Sequence, residues 1–248
     1  MNDRAPLPSD WPDQAVQVRA GALLGSAAVV IWNDVADEGR AQFYDWHDKE
    51  HIPERLALPG FRRGRRYARS GHSPQWLTIY EAEGVEALTS PAYLERLNTP
   101  TPLTRATLPY FRNTSRAVCR IAGSIGGSSG GHMLALRFDA PEGSGERVRR
   151  LFADELFPAA LALPGVVACH LGMADRDASF IDTAESRTRR FDVPAWVVLG
   201  EATTAAAAER LHALIDGAGL RALGAVVRPD AAVYALEIAR LAQPAGHP

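Results

Sequence analysis

Glu50-His-Ile-Pro-Glu-Arg-Leu-Ala-Leu-Pro-Gly60 and Glu155-Leu-Phe-Pro-Ala-Ala-Leu-Ala-Leu-Pro-Gly165 align without a gap, and seven of their eleven positions are identical. Both prolines and the glycine sit at matched offsets. A second pair of blocks follows at a larger spacing, Pro74-Gln-Trp-Leu-Thr-Ile-Tyr-Glu-Ala82 against Pro194-Ala-Trp-Val-Val-Leu-Gly-Glu-Ala202. The chain therefore holds two copies of one module, and the change of spacing places an insertion in the second copy near Asp175 to Arg190. Its polar composition reads as a surface loop.

Each copy reads as β-α-β-β-α-β. In the first, Ala27 to Asn33 is an apolar run of strand length. Asp37 is the expected N-cap of a helix running to about Leu58, closed by Gly60. Phe61 to Arg69 and Gln75 to Glu81 form a hairpin, Ser90-Pro91 opens a second helix, and Ser115 to Ala122 closes the module. The second copy repeats the order, and proline predicts an interrupted helix near Pro53 and near Pro158. This is the ferredoxin-like order, a four-stranded sheet with two helices on one face. The expected fold class is α+β, two such modules packed sheet to sheet as an intrachain α/β barrel. The expected organisation is a flexible N-terminal arm over 1–20, a first module over 21–122, a Gly/Ser linker over 123–131, a degenerate second module over 132–242 and a tail over 243–248.

The 248 residues are 46% hydrophobic and 23% charged, with a net charge of −2. That balance offers no electrostatic ground for nucleic acid or an anionic membrane as partner. Cys119 and Cys169 fit no metal or redox spacing and read as buried thiols of a reducing compartment. The N-terminus lacks the apolar core of a signal peptide, so the expected localisation is cytoplasmic. Dinucleotide and phosphate-loop fingerprints are missing, as is a nucleophile elbow.

Phe43-Tyr-Asp-Trp-His-Asp-Lys-Glu-His51, followed by Leu58-Pro-Gly-Phe61, carries a resemblance. It is similar to the dimeric α/β-barrel superfamily, and most to its EthD-like branch, in which an aromatic-rich helix bears a histidine and ends in Pro-Gly. His51 is placed like the helix histidine of methylmuconolactone isomerases. The superfamily also hosts cofactor-free monooxygenases, polyketide cyclases and haem enzymes, so the resemblance implies the fold more narrowly than the reaction. The second copy departs from the pattern, with Phe152 and Leu156 at the positions of His47 and His51.

Phe43, Trp46, His47, Glu50 and His51 share one helical face. Histidine suits proton transfer near neutrality, so His51 and His47 are the candidate catalytic residues. The alternative is one hydrogen-bonded core histidine and one at the rim. Glu50 is a further candidate for substrate contact, with a structural role, favoured by its recurrence as Glu155, as its other reading. His47-Asp-Lys-Glu-His51 also matches the H-x-x-E-H string of inverted zinc peptidases. With Pro53 close by and no third ligand in view, no metal is assigned. Strand two is rich in arginine, and Arg65 is the candidate for an anionic substrate. Tyr80 is a candidate hydrogen-bond donor in catalysis. Trp46, Tyr67 and Trp76 complete the expected pocket, with an aromatic core as their other reading.

The expected function is a cofactor-independent enzyme acting on a small aromatic or polyketide-like metabolite by histidine-mediated proton transfer, of isomerase, cyclase or monooxygenase type. Its partner is a small-molecule substrate, and the chain is a monomeric pseudo-dimer or a homodimer. The rivals are a non-catalytic ligand-binding or stress-associated protein and a haem-binding barrel.

Overall fold

The computed structural model describes residues 22–187 and 192–243. The expected arm over 1–20 and nearly all of the tail lie outside them. In the described part of the first copy the elements are β1 (Ala27–Val35), α1 (Arg40–Trp46), α2 (Ile52–Leu56), β2 (Phe61–Ala68), β3 (Trp76–Ala82), α3 (Val85–Leu88), α4 (Pro91–Asn98), α5 (Pro102–Thr107) and β4 (Phe111–Gly126). The second copy follows with β5 (His132–Asp139), α6 (Gly145–Arg150), α7 (Phe157–Ala162), β6 (Val166–Ala174), α8 (Arg176–Ser179), α9 (Ala184–Arg187), β7 (Trp196–Ala202), α10 (Ala205–Ile215), α11 (Ala218–Ala222), β8 (Val226–Val227) and β9 (Ala232–Leu241). No described helix is long and apolar enough to cross a membrane.

The fold class is the α+β class expected from the repeat. Strands are hydrogen-bonded in the order β7-β6-β4-β1-β3-β2-β9-β5, with β7 also paired to β5, so the order closes as an eight-stranded β-barrel; β8 adds to β5. Within it β4-β1-β3-β2 and β9-β5-β7-β6 are the same ferredoxin-like order, and β3 and β7 pair antiparallel with both neighbours in their own copy.

The described residues of 24–119, 175–193 and 236–248 form one compact unit, and those of 1–23, 120–174 and 194–235 form the other. The first unit thus takes in the insertion of the second copy and the end of β9. That insertion is not the plain surface loop expected from its polarity. It forms α8 and α9 and buries Ala178, Ser179, Thr183 and Glu185. Asp175 caps α8 by accepting from the Ala178 amide, 3.0 Å away.

Two local expectations are corrected. Asp37 is not an N-cap but the first residue of a 3-10 turn, Asp37–Gly39, that leads into α1 without a side-chain cap. The glycine-rich stretch expected as a linker from 123 is strand as far as Gly126, because β4 runs on through it. Gly126 ends the strand at φ +86°, and a Cβ there would lie 2.1 Å from the carbonyl oxygen of Val167. Gly126→Ala should therefore destabilise by more than about 1 kcal/mol; a urea midpoint unchanged from wild type would contradict this.

Both copies answer their proline in the same way. Between α1 and α2 lies a π turn, His47–His51, in which the Ile52 amide donates to the His47 carbonyl five residues back. Between α6 and α7 lies its counterpart, Leu151–Leu156, with the Phe157 amide on the Phe152 carbonyl. Pro53 and Pro158 bring no amide hydrogen, and their rings crowd the carbonyl four residues earlier. A wider turn just before each proline relieves that clash, and the helix then resumes to Leu56 and Ala162. The interruption thus sits one turn earlier than a simple break at proline.

Candidate functional site

The π turn carries the two histidines. In the first unit, strand alternation gives the helix-covered face of the sheet Ile31 and Asn33 from β1, Gly64 and Arg66 from β2, and Trp76, Thr78 and Tyr80 from β3. A Cβ on Gly64 would lie 3.1 Å from Ile52 and 3.2 Å from the Tyr80 ring, so the bare backbone lets helix and tyrosine close on the sheet. Between these layers is a cavity of about 20 Å³ lined by residues that include Asn33, Trp46, His47, His51, Tyr80 and Glu185.

His51 is 7% exposed. Its ring lies 4.2 Å from that of Trp46, 5.7 Å from His47 and 6.1 Å from Tyr80, centroid to centroid. Trp46 is fixed by its indole N–H, which donates to Thr104 Oγ1 at 2.9 Å.

His47 is committed at both nitrogens. Arg66 Nη1 lies 3.0 Å from Nδ1, and Tyr80 Oη lies 3.2 Å from Nε2. Guanidinium donates and never accepts, so Nδ1 is the acceptor and the ring proton sits on Nε2, donated to the Tyr80 oxygen. Burial, and then the charges of Arg66 and Arg55, hold His47 well below the ordinary histidine range. Burial raises Tyr80, with Arg55 opposing it, so the phenol keeps its proton. The result is a directed chain, Arg66 to His47 to Tyr80, that ends on a phenolic O–H. Among the described residues His47 is the only hydrogen-bond partner of Tyr80.

Arg66 is itself anchored. It pairs with Asp48 and with Glu237, the latter at 2.7 Å, and its guanidinium lies 4.6 Å from the Tyr44 ring centroid.

A depressed histidine has a pH signature. The folded state resists protonation while the unfolded chain takes a proton below about pH 6.5. His47 therefore contributes no loss above that pH and a loss of up to about 1.4 kcal/mol per pH unit below it, until its folded value is reached. Urea melts across pH 5 to 8 should show this slope in wild type and a shallower one in His47→Gln. Equal slopes would refute the assignment.

The remaining expected site residues fall elsewhere. Glu50 accepts from Thr101 and Thr104, pinning α5 to the π turn, and does not line the cavity. Arg65 and Tyr67 point to the opposite face of the sheet; Arg65 Nη2 pairs with Glu81 Oε1 at 2.9 Å and lies over the Tyr67 ring. Trp76 is fully buried behind the cavity wall, its ring 5.1 Å from Phe43 and its N–H 3.3 Å from Tyr44 Oη. The expected pocket thus keeps His51, His47, Tyr80 and Trp46 together and excludes Arg65, Tyr67, Glu50 and Trp76.

Sequence reasoning missed Asn33, Thr78, Arg55, Arg66 and Glu185. Asn33, 1% exposed in a strand of apolar neighbours, was a readable signal. So was Arg55, four residues beyond His51 on the same helical face. Glu185 gave none, because it arrives from the insertion of the other copy.

The zinc string does not assemble. Glu50 is turned onto α5, both nitrogens of His47 are engaged, and no group of three His, Cys, Asp or Glu side chains suited to a metal exists among the described residues.

In the other unit the matching layer is solid. Phe152 and Leu156 stand for the histidines and are buried, and Phe138 stacks on Phe152 and Trp196 at 6.1 and 6.0 Å. Gly200 replaces Tyr80, and a Cβ there would lie 2.2 Å from Leu211, whose side chain takes the space. His170, counterpart of Arg65, is wholly buried between Ser124 at 2.6 Å and Glu201 at 3.6 Å.

No family model matches the sequence, and no curated protein sequence does. Solved structures do resemble it. A structure described as an anthrone oxidase-like protein superposes with a TM-score of 0.56 at 13% identity, covering 88% of this chain and 93% of that one. A single-residue variant of chlorite dismutase from Candidatus Nitrospira defluvii superposes with a TM-score of 0.53 at 11% identity, covering 87% and 92%. At such identities the likeness shows the fold alone, and the chain has the fold of the dimeric α/β-barrel superfamily.

Proposed function

We propose that the chain is an enzyme that acts on a small aromatic or polyketide-like metabolite without a cofactor, in the manner of the EthD-like and monooxygenase-type members of its fold. The observation that carries this is the pairing of His51 with a phenol whose proton is directed by Arg66 and His47. A nitrogen of His51 takes a proton from a carbon beside a carbonyl, and the C–H electron pair moves onto the carbonyl oxygen. Tyr80 donates its hydrogen bond to the enolate oxygen, where the charge develops. Return of the proton to a different carbon completes an isomerisation; attack of the enolate on molecular oxygen, as co-substrate, begins an oxygenation.

An anthrone suits a vinylogous form of this chemistry: its methylene is conjugated to the ketone through the fused rings, so loss of a methylene proton places the charge on the ketone oxygen. The anthrone oxidase-like neighbour makes it a sensible first probe. In deuterated buffer with chelator present, the protein should speed exchange of that methylene well above the buffer rate, read by proton NMR. An unaltered exchange rate for anthrone and for related aryl ketones, carboxylate-bearing ones included, would sink the reading and favour a binding role.

A further inference from the structure

Glu185 lines two cavities. One is the His51 cavity of about 20 Å³. The other, of about 30 Å³, lies beside it under the insertion and is bordered by Leu88, Leu94, Leu97, Arg116 and Ile181. For comparison, about 10–15 Å³ holds one water, while a cavity known to take benzene measures about 150 Å³. Neither space takes an aromatic substrate while Glu185 stays where it is.

Glu185 is paired with Arg55. Arg55 Nη2 lies 2.6 Å from Glu185 Oε1, and the two side chains are 2% and 8% exposed. Arg55 also lies 5.7 Å from the Tyr93 ring centroid and 3.4 Å from Glu54, whose second oxygen is held by Arg96 at 2.7 Å. A guanidinium this deep costs several kcal/mol to desolvate unless an anion meets it in good geometry. It is a planar donor that suits a carboxylate. The carboxylate that meets it comes from α9, a four-residue helix in the insertion that the first copy lacks.

We infer that Arg55 is the anion-binding group of this site, that its ligand is a small carboxylate-bearing aromatic molecule, and that Glu185 is the chain's own stand-in for that carboxylate. Binding replaces one carboxylate by another on Arg55, so the buried charge is never left uncompensated. As Glu185 leaves, its side-chain volume joins the two cavities beside His51 and Tyr80. The inference rests on reading the His51 cavity as the substrate site, and it names the substrate's charge.

Benzoate and its neutral isostere benzamide test it, with the full chain and binding followed by the fluorescence of Trp46 and its neighbours or by NMR. Glu185→Gln should bind benzoate at least tenfold more tightly than wild type, with a clearly smaller gain for benzamide, because the glutamine amide competes less well for Arg55 and only benzoate restores the lost charge. Arg55→Met should lose benzoate binding. Benzoate binding that depends on Arg55 and Glu185, with no deuterium exchange catalysed in any aryl ketone, would leave the binding inference standing and refute only the proton-transfer reading. If Glu185→Gln does not fold, Glu185→Asp, which keeps the charge but shortens the reach, should tighten benzoate in the same sense. Benzoate binding indifferent to Glu185 and Arg55, or equal gains for benzamide, would overturn the inference.

Discussion

His51→Ala should lower turnover by about 100-fold or more once a substrate is in hand, while His170→Ala leaves it intact. The two residues form a controlled comparison. Both are buried histidines, 7% and 0% exposed. His170 lies between a serine and a glutamate in the other unit, whereas His51 lines the cavity with Tyr80. His47 cannot take over, since its Nδ1 lone pair accepts from Arg66 and its Nε2 proton goes to Tyr80. Tyr80→Phe removes the donor to the developing oxyanion and should cost about 10²–10³ in kcat with little change in KM. Thermal melts of each variant separate loss of chemistry from loss of fold. Full turnover in His51→Ala would refute its role as base.

The largest stability effect should come from Glu81. It is 1% exposed, accepts from Arg63 Nε at 2.8 Å and Nη2 at 2.9 Å and from the Leu24 amide at 2.8 Å, and forms an ion pair with Arg65 Nη2 at 2.9 Å. Glu81→Leu removes the carboxylate shared by two arginines, one of them also 1% exposed. Removing one member of a buried ion pair costs about 3–5 kcal/mol, which here exceeds any gain from the added apolar contact. Urea titration should show a loss of unfolding free energy of that size, read as a lower midpoint with unchanged slope. A loss below about 1 kcal/mol would show that water reaches these arginines. Arg65→Met in the Glu81→Leu background should recover part of the loss, because it is the unmatched charge that is costly.

The same two residues show how far the sequence could be read. Glu81 and Glu201 stand at the same place in the repeat, and each ties down the chain before the first strand of its copy, through the Leu24 and Gly130 amides. Their recurrence in the two copies matches this shared structural role. Arg65 was harder. Alternation placed it with Tyr67 on one face, but which face meets the helices is a tertiary fact. The face proved to be the other one, so Arg66 entered the site and Arg65 did not.

Local chemistry by itself determined the repeat, the ferredoxin-like order of each copy, the interruption of the helix ahead of Pro53 and Pro158, and the gathering of Trp46, His47 and His51 on one helical face. These are written in short-range patterns, because apolar period, turn residues and the missing proline amide act within a few residues. Only the tertiary structure decided that His47 sits hydrogen-bonded between Arg66 and Tyr80, since these arrive from two strands. Only it decided that Glu185, more than a hundred residues away in a polar insertion, closes the cavity on Arg55. Such partners are set by burial and charge compensation across the fold, which no local pattern encodes.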